Sequence, residues 1–296
     1  MIRTDHHMHT KASTDSPADM EEIIKQAVSL GLTEICITDH VDFPLADDIR
    51  NWAVYSGAPV SSIMEWARYL GDGQTCELIR IPFDEYISNY KRLASTYEGD
   101  ITVLMGCEIG MSYHCRGAIH AHIAKYPFDF IIGSQHSFDR YDICCNRETL
   151  FSGRSKQDVY TAHLTEMIQN VLDYDCFDVL GHIDYIIRYG PYEDRNMYAH
   201  EFDDLLTTLF KTLVEKGKGI ELNTSGFRYG LGHAHPNIDI LRKYREAGGE
   251  IITIGSDAHR PHDVGKYLPE AANILSGSGF KAYCKFKERK PTFINI

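Results

Sequence analysis

The stretch Met1-Ile-Arg-Thr-Asp-His-His-Met-His-Thr10 decides the fold. A short apolar start leads directly to Asp5, His7 and His9. In an extended strand, residues i and i+2 point to the same side, so His7 and His9 would present two imidazoles to one point. Imidazole is the commonest side-chain ligand of metals. This strand therefore predicts the floor of a metal site. The alternative, a terminus left by a tag, would be an uninterrupted run of histidines.

The composition bounds the class of protein. The chain has 296 residues, of which 43% are hydrophobic and 24% charged, as in ordinary globular proteins. The sequence contains no stretch of 18 or more apolar residues, so no membrane helix is predicted. It does not start with a basic region followed by an apolar one, so no signal peptide is predicted. We therefore expect a cytoplasmic protein with its eight cysteines reduced. Without a C-x-x-C pair, a zinc ribbon is disfavoured.

The net charge of −12 bears on the partners. An acidic surface repels nucleic-acid phosphates unless basic residues are concentrated, and no basic run of useful length occurs. We expect a small-molecule substrate and neither a nucleic-acid nor a membrane partner. A homo-oligomer is compatible with the sequence.

Strand-like and helix-like patterns alternate along the chain. Alternation of this kind predicts a parallel sheet with right-handed crossovers. No G-x-G-x-x-G loop follows the first strand, so an α/β barrel is favoured over an open sheet. The first helix is predicted over Pro17–Leu30 with Ser16 as its N-cap. The seven predicted strands are Ile2–Asp5, Glu34–Thr38, Ile101–Gly106, Phe130–Gly133, Asp178–Gly181, Gly219–Leu222 and Glu250–Gly255.

One domain is expected over residues 1–296, because no linker rich in proline, glycine or serine divides it. An insertion at Val41–Ile81 interrupts the alternation and carries both tryptophans, Trp52 and Trp66. Long connections of this kind are often functional, so we expect a lid over the site. The alternative is an insertion that packs on the side of the barrel or on another subunit.

Residues of metal-ligand type follow nearly every predicted strand. A lone histidine at a strand end is usually a hydrogen-bonded surface or core residue, but repetition at six strands argues for a shared site at the carboxyl-end rim. Nine such residues exceed the needs of one tetrahedral zinc and suffice for two or three transition metals such as Zn, Mn or Fe. They are His7, His9, Asp15, His40, Glu108, His136, His182, Asp257 and His259.

The motifs D-x-H-x-H, T-D-H, C-E-I-G, S-Q-H-S, G-H-I-D and S-D-A-H, in this order, resemble the polymerase and histidinol phosphatase (PHP) family. The stretch Glu221–Arg228, followed by His235-Pro236, is most similar to its histidinol-phosphate phosphatase branch. The resemblance implies a distorted (β/α)7 barrel of the amidohydrolase-like type, with its metals at the rim.

The resemblance also implies a division of the ligands among three metals. The first metal would be held by His7, His9, Glu108 and Asp257. Glu108 would bridge to a second metal held by His136 and His182, and the third would be held by Asp15, His40 and His259. The family often has His or Glu where Asp15 stands.

Three arginines follow ligand-bearing strands or their loops: Arg154, Arg188 and Arg228. Arginine binds phosphate through two parallel hydrogen bonds and keeps its charge. We expect these arginines to bind the substrate phosphate, with surface ion pairs as the alternative. His6 and His235 are expected in packing or loop roles, and Asp39 in orienting a ligand histidine.

The expected activity is a metal-dependent phosphomonoesterase that hydrolyses L-histidinol phosphate in histidine biosynthesis. Asp257 would orient or deprotonate the nucleophile, and His259 or a water would protonate the leaving alkoxide. A small phosphate ester of another kind, or a nucleotide or nucleic-acid phosphodiester, is the alternative substrate. A nuclease should carry a basic groove. A C–N amidohydrolase should carry a carboxylated lysine or another ligand count, and a non-catalytic metal protein should have a closed site.

Overall fold

The computed structural model describes residues 2–45, 48–49, 61, 64–65, 67–69 and 75–296. Trp52 and Trp66, on which the predicted lid depends, lie outside these residues. The strands found in the described residues are β1 Thr4–Asp5, β2 Glu34–Ile37, β3 His40–Val41, β4 Ala67–Tyr69, β5 Cys76–Leu78, β6 Thr102–Gly110, β7 Phe130–Ser134, β8 Ser137–Phe138, β9 Tyr141–Asp142, β10 Val179–Leu180, β11 Gly219–Asn223, β12 Ile252–Gly255, β13 Ala282–Lys287 and β14 Lys290–Asn295.

Seven of these strands run parallel in the order β1-β2-β6-β7-β10-β11-β12. The two ends of the sheet meet, since the His6 amide donates to the Ile254 carbonyl at 3.0 Å and the His9 amide to the Ala258 carbonyl at 2.8 Å. The predicted α/β barrel of seven strands is confirmed.

Helices follow the strands around the barrel. In the described residues the α-helices are α1 Met20–Ser29, α2 Phe83–Thr96, α3 Arg116–Ile123, α4 Arg147–Phe151, α5 Lys156–Asp173, α6 Asp203–Glu215, α7 Ser225–Arg228, α8 Ile238–Glu246 and α9 Leu268–Gly277. Short 3-10 helices lie at Tyr113–Cys115, Tyr185–Arg188, Ala199–Phe202 and Pro261–Asp263. Among the described residues, no helix combines the length and apolar character needed to cross a bilayer.

The first helix begins later than predicted. Asp19, not Ser16, is the N-cap of α1, and its carboxylate accepts from the Glu21 amide at 2.9 Å. The Ser16 hydroxyl instead donates to the carbonyl of His259 at 2.9 Å. Ser16 therefore ties the turn that carries Asp15 to the last ligand-bearing loop.

The barrel interior is apolar at one end and polar at the other. Leu104 of β6, Phe130 of β7 and Val179 of β10 pack with Cys284 and Phe286 of the β13–β14 hairpin. Side chains alternate along a strand, so Glu108 of β6 lies on the same face as Leu104 but four residues nearer the carboxyl end. The β13–β14 hairpin covers the apolar end of the barrel, and the Glu108 side chain lies at the polar end.

The described ends of the predicted insertion are ordered against the barrel. β3 pairs with β6 in parallel, and β4 pairs with β5 as an antiparallel hairpin. Arg80 donates to the Ser16 carbonyl at 2.9 Å. The far end of the insertion thus contacts the turn that carries Asp15.

Candidate metal centre

Four donor atoms from three parts of the barrel converge at its polar end. His7 Nε2 lies 3.2 Å from Glu108 Oε2 and 3.7 Å from Asp257 Oδ1. His9 Nε2 lies 3.5 and 3.4 Å from the same two oxygens. Zinc–ligand bonds of about 2.0–2.1 Å place tetrahedral ligands about 3.3–3.4 Å apart. The four histidine–carboxylate distances are therefore close to those between neighbouring ligands of one metal, and the His7, His9 and Glu108 donors all lie within 4.8 Å of one another.

Hydrogen bonds fix the orientation of both histidines. His7 Nδ1 donates to Glu221 Oε1 at 2.6 Å. His9 Nδ1 donates to Ser13 Oγ at 3.2 Å, and Ser13 in turn donates to Asp39 at 2.7 Å. In their neutral forms both rings would therefore face the centre with the Nε2 lone pair, which is the usual arrangement around a metal-ligating histidine.

A second group of donors surrounds the other oxygen of Glu108. Its Oε1 lies 3.2 Å from His136 Nε2 and 2.8 Å from His182 Nε2. Asp42 Oδ1 lies 3.3 Å from His136 Nδ1 and orients that ring. Glu108 thus has one oxygen in each donor group, as a bridging carboxylate requires.

A third group lies at the outer edge of the rim. Asp15 Oδ2 is 3.0 Å from His259 Nε2 and 3.5 Å from His40 Nε2. His259 Nδ1 donates to the Asp257 carbonyl at 3.0 Å, so its neutral form carries a lone pair on Nε2. That tautomer suits a metal ligand, and the role of His259 or a water as proton donor stays a prediction.

Several of these atoms are buried without a hydrogen-bond partner in the described part of the chain. They are His7 Nε2, His9 Nε2, His40 Nδ1 and Glu108 Oε2. Glu108 Oε2 nevertheless lies 3.2 Å from His7 Nε2 and 3.1 Å from His40 Nδ1, so these atoms face one another without hydrogen-bond geometry. Nitrogen and carboxylate donors are the ligands that divalent transition metals prefer. The residues present fit such metals.

Charges in the cluster compensate one another in the metal-free state. Burial alone would raise the pKa of Glu108, but His7, His136 and His40 hold it well below its usual range. Burial alone would lower the pKa of His40, but Asp15, Glu108 and Asp42 raise it to about 9. For His9, burial dominates, and with His259 and His40 it lowers the pKa to about 3.

The backbone is shaped to bring these groups together. Asp257 has a φ of 55°, in the left-handed region that few side chains other than Asp and Asn adopt. Gly255 precedes it, and a Cβ at this position would lie 2.3 Å from the His7 Cβ and 2.4 Å from Glu221 Oε1. Glycine is required here because the side chains of His7, which follows β1, and of Glu221 in β11 approach the β12 backbone closely.

The three predicted arginines occupy different places. Arg188 lines the same cavity as the donor groups, and its Nη2 donates to Asp257 Oδ2 at 3.2 Å. Arg228 Nη2 donates to the Asp257 carbonyl at 2.7 Å and so supports the loop. Arg154 Nη1 donates to the Leu150 carbonyl at 3.2 Å. Of these three arginines, Arg188 lines the cavity, and Arg154 and Arg228 are not among the described residues that line it.

Sequence reasoning assigned no site role to Glu221, His235 and Asp184, which support the centre. Glu221 orients His7, and its other oxygen accepts from the His182 amide at 3.2 Å. His235 is fully buried, and its Nε2 accepts from Arg188 Nε at 2.9 Å. Arginine can only donate, so His235 carries its proton on Nδ1 and donates to Asp184. The available signals in the sequence were the polar Glu221 within an apolar predicted strand and Asp184 directly after Gly181-His-Ile183.

Other histidines lie apart from the centre. His6 is buried and pairs with Glu34 of β2 at 2.9 Å. His122 contacts Glu77 at 3.2 Å. Their carboxylate partners hold both rings away from the donor groups.

A parallel barrel with histidines and carboxylates at the carboxyl ends of its strands is the architecture of many metal-dependent barrel enzymes. The PHP domain family model matches residues 5–225, and the chain belongs to this family. The resemblance drawn from the motifs is confirmed.

The relatives are similar over their whole length. A histidinol-phosphatase of Lactococcus lactis is 26% identical over 290 residues, which cover 98% of this chain and 96% of the relative. A probable histidinol-phosphatase of Clostridium acetobutylicum is 29% identical over 278 residues, covering 94% of each chain.

A solved structure shares the fold. It is the histidinol phosphate phosphatase of Lactococcus lactis, complexed with zinc, L-histidinol and phosphate. The two chains superpose with a TM-score of 0.79 at 24% identity, over 98% of each. The likeness extends to the whole described barrel.

Proposed function

We propose that the chain is a metal-dependent phosphomonoesterase that hydrolyses L-histidinol phosphate to L-histidinol and phosphate. The observation that carries this proposal is the convergence of the four donors His7 Nε2, His9 Nε2, Glu108 Oε2 and Asp257 Oδ1 at 3.2–3.7 Å, beside Arg188. The full-length relatives described as histidinol-phosphatases support the choice of substrate.

We assign two or three divalent metals, Zn, Mn or Fe, to the three donor groups. His7, His9, Glu108 and Asp257 would hold the first metal, and Glu108 with His136 and His182 the second. Asp15, His40 and His259 would hold the third. When bound, such metals supply Lewis acidity that polarises a phosphoryl ester and activates water.

The residues around the metals would bind and orient the ester. Arg188 places a guanidinium beside Asp257, where it would pair with a phosphate oxygen and neutralise charge that develops on the phosphoryl group. Asp257 Oδ2 accepts from Arg188 and from the Ser225 hydroxyl at 3.1 Å. These two hydrogen bonds fix the Asp257 carboxylate, which would orient the attacking water.

The cavity has room for an organic leaving group. It has a volume of about 310 Å³, opens to solvent, and is lined by three tyrosines and by the Asp142 carboxylate. Tyr185, Tyr189 and Tyr229 offer aromatic surface for an imidazole, and Asp142 offers charge for an ammonium group. Both groups occur in histidinol.

One assay tests the proposal directly. Phosphate release would be measured with Mn²⁺- or Zn²⁺-loaded protein on histidinol phosphate, p-nitrophenyl phosphate and a nucleotide phosphodiester. We expect kcat/KM for histidinol phosphate to exceed the other two by about 100-fold or more, since each well-used contact is worth about 1–3 kcal/mol. Equal rates on the two monoesters would contradict the assignment of histidinol. Faster cleavage of the diester would contradict the monoesterase itself.

A further inference from the structure

Two adjacent cysteines lie in the turn that follows β9. Cys144 and Cys145 place their sulfur atoms on the same side, with a Sγ–Sγ distance of 2.9 Å, and neither forms a disulfide. Neighbouring side chains in a regular strand would point in opposite directions. The turn is held by Asp142 Oδ1, which accepts the amides of Cys144 at 2.9 Å and Cys145 at 3.2 Å. Local structure therefore presents the two sulfurs as a pair.

This pair lies at the edge of the catalytic cavity. Asp142 and Cys144 line the cavity together with His136 and Tyr185. One oxygen of Asp142 and the two sulfurs lie within 4.8 Å of one another. Cys144 is buried and Cys145 is half-buried, so a small species that enters the cavity would reach the sulfurs. The proposed hydrolysis makes no use of either thiol.

We propose that Cys144 and Cys145, with Asp142 beside them, form a chelating site for a soft, thiophilic ion or trivalent metalloid, separate from the histidine–carboxylate centre. Thiolates select soft metals, whereas the donors of the main centre are nitrogen and carboxylate oxygen. Metal–sulfur bonds of about 2.3 Å at a tetrahedral angle separate two sulfurs by about 3.8 Å. The sulfurs would need to move apart by less than about 1 Å, which side-chain rotation in a turn allows.

The resting form of the pair is the protonated dithiol. The contact with Cys145, burial and the nearby Asp142 carboxylate together raise the pKa of Cys144. A suitable probe must therefore accept two neutral thiols. Phenylarsine oxide does so: two As–S bonds form, and the arsenic-bound oxygen leaves as water with the two thiol protons. Arsenic stays trivalent, so no oxidant or reductant is consumed.

The experiment uses the full-length, metal-loaded protein and phenylarsine oxide, with native mass spectrometry as the readout. We expect one phenylarsenic group per chain, resistant to a monothiol and removed by 1,2-ethanedithiol, with the loaded metals retained. Cys144→Ser and Cys145→Ser should each abolish the adduct. Cys176→Ser, a matched control at another half-buried cysteine, should leave it intact.

A second measurement needs no variant. Wild-type protein would be treated with the arsenical, denatured and alkylated, and its peptides mapped. The expected result is protection of Cys144 and Cys145 together. Absence of an adduct, an adduct that survives both serine substitutions, or protection of other cysteines in place of this pair would overturn the proposal. The readout is binding, so it does not depend on the proposed phosphatase activity.

Discussion

At the scale of single residues, Glu108 connects all the donor groups. Its Oε2 lies 3.2 Å from His7 and 3.1 Å from His40, and its Oε1 lies 2.8 Å from His182. A carboxylate that serves two metals cannot be replaced without loss at both. We expect Glu108→Gln to lower turnover by more than about 100-fold, because substitution of orienting residues alone costs about 10–100-fold.

Asp15→Asn is the matched control for this prediction, since Asp15 lies in the outer donor group alone. It should cost less activity and release less metal. Turnover and metal content by elemental analysis would be measured together. A Glu108→Gln protein that keeps near-wild-type turnover and its full metal content would show that the bridge is misassigned.

Arg188 and His235 provide a second prediction. The Arg188 guanidinium donates to His235 through Nε and to Ser225 and Asp257 through Nη2, and it packs on the rings of Tyr185 and Tyr229. Loss of one partner of a desolvated charge pair costs about 2–5 kcal/mol. Arg188→Met should therefore weaken inorganic phosphate binding by about 30-fold or more, with metal content retained.

His235→Phe should weaken phosphate binding by about 10-fold, since it removes the acceptor that holds Arg188. If His235 acts through Arg188, the double variant should bind phosphate no worse than Arg188→Met alone. Calorimetry of phosphate binding to the metal-loaded wild type, the two single variants and the double variant would complete this double-mutant cycle. Additive losses would mean that His235 acts through some other group.

These two residues also show where sequence reasoning stops. His7, His9 and Glu108 were predicted because alternation along a strand and position at a strand end are local properties. The bond between His235 and Arg188 joins residues 47 positions apart, and that between Glu221 and His7 joins residues 214 apart. Nothing local in the chain encodes such partners, so their roles required the fold.

At the scale of elements, β1 is short but is fixed at several points. Asp5 is fully buried, and its two oxygens accept from the amides of Ser256 at 2.8 Å and Gly265 at 2.9 Å. These bonds join the first strand to the loops after β12. Asp5→Ala would leave two buried amides without their acceptor, at about 1–3 kcal/mol each.

We therefore expect Asp5→Ala to lower the free energy of unfolding by about 2–6 kcal/mol, measured by denaturant titration with metals present. Asp19→Ala, which removes the cap of α1 at the surface, is the comparison and should cost about 1 kcal/mol. Equal losses in the two variants would show that β1 does not hold the barrel closed through Asp5.

The elements were predicted better at their centres than at their ends. The seven barrel strands were located from apolar runs, and β6 extends to Gly110, four residues beyond the predicted Gly106. The extension carries Glu108 and pairs with β7. A polar residue in a strand looks like a strand end in sequence, because the hydrogen bonds that continue the ladder come from a distant partner.

At the scale of the whole molecule, the metal-free centre is held together by protonated histidines and ionised carboxylates. Although burial would lower their pKa values, Glu221 with Glu108 and Asp257 raises that of His7 well above its ordinary range, and Asp15 with Glu108 and Asp42 raises that of His40 to about 9. Metal ligands must be neutral imidazoles, so binding a metal releases these protons.

The stability of the metal-free protein and its affinity for metal therefore respond to pH in opposite directions. In the metal-free protein, a histidine with a raised pKa stabilises the fold fully below its unfolded pKa of about 6.5. For His40 this contribution is lost as the pH rises toward about 9. Over the same window the apparent affinity for metal rises, by about tenfold per pH unit for each proton released. Glu108 and Asp257, with depressed pKa values, stay ionised throughout.

The prediction is that the difference in Tm between metal-loaded and chelator-treated protein widens steadily from pH 6.5 to about 9. Bound ligand stabilises by RT ln(1 + [L]/Kd), so a tenfold gain in affinity adds about 1.4 kcal/mol at fixed free metal. Thermal unfolding with metal-buffered solutions at each pH would measure this. His9, with a pKa lowered to about 3, releases no proton in this window and adds nothing to the slope. A difference that stays constant across the window would show that the donor histidines are already neutral in the metal-free protein.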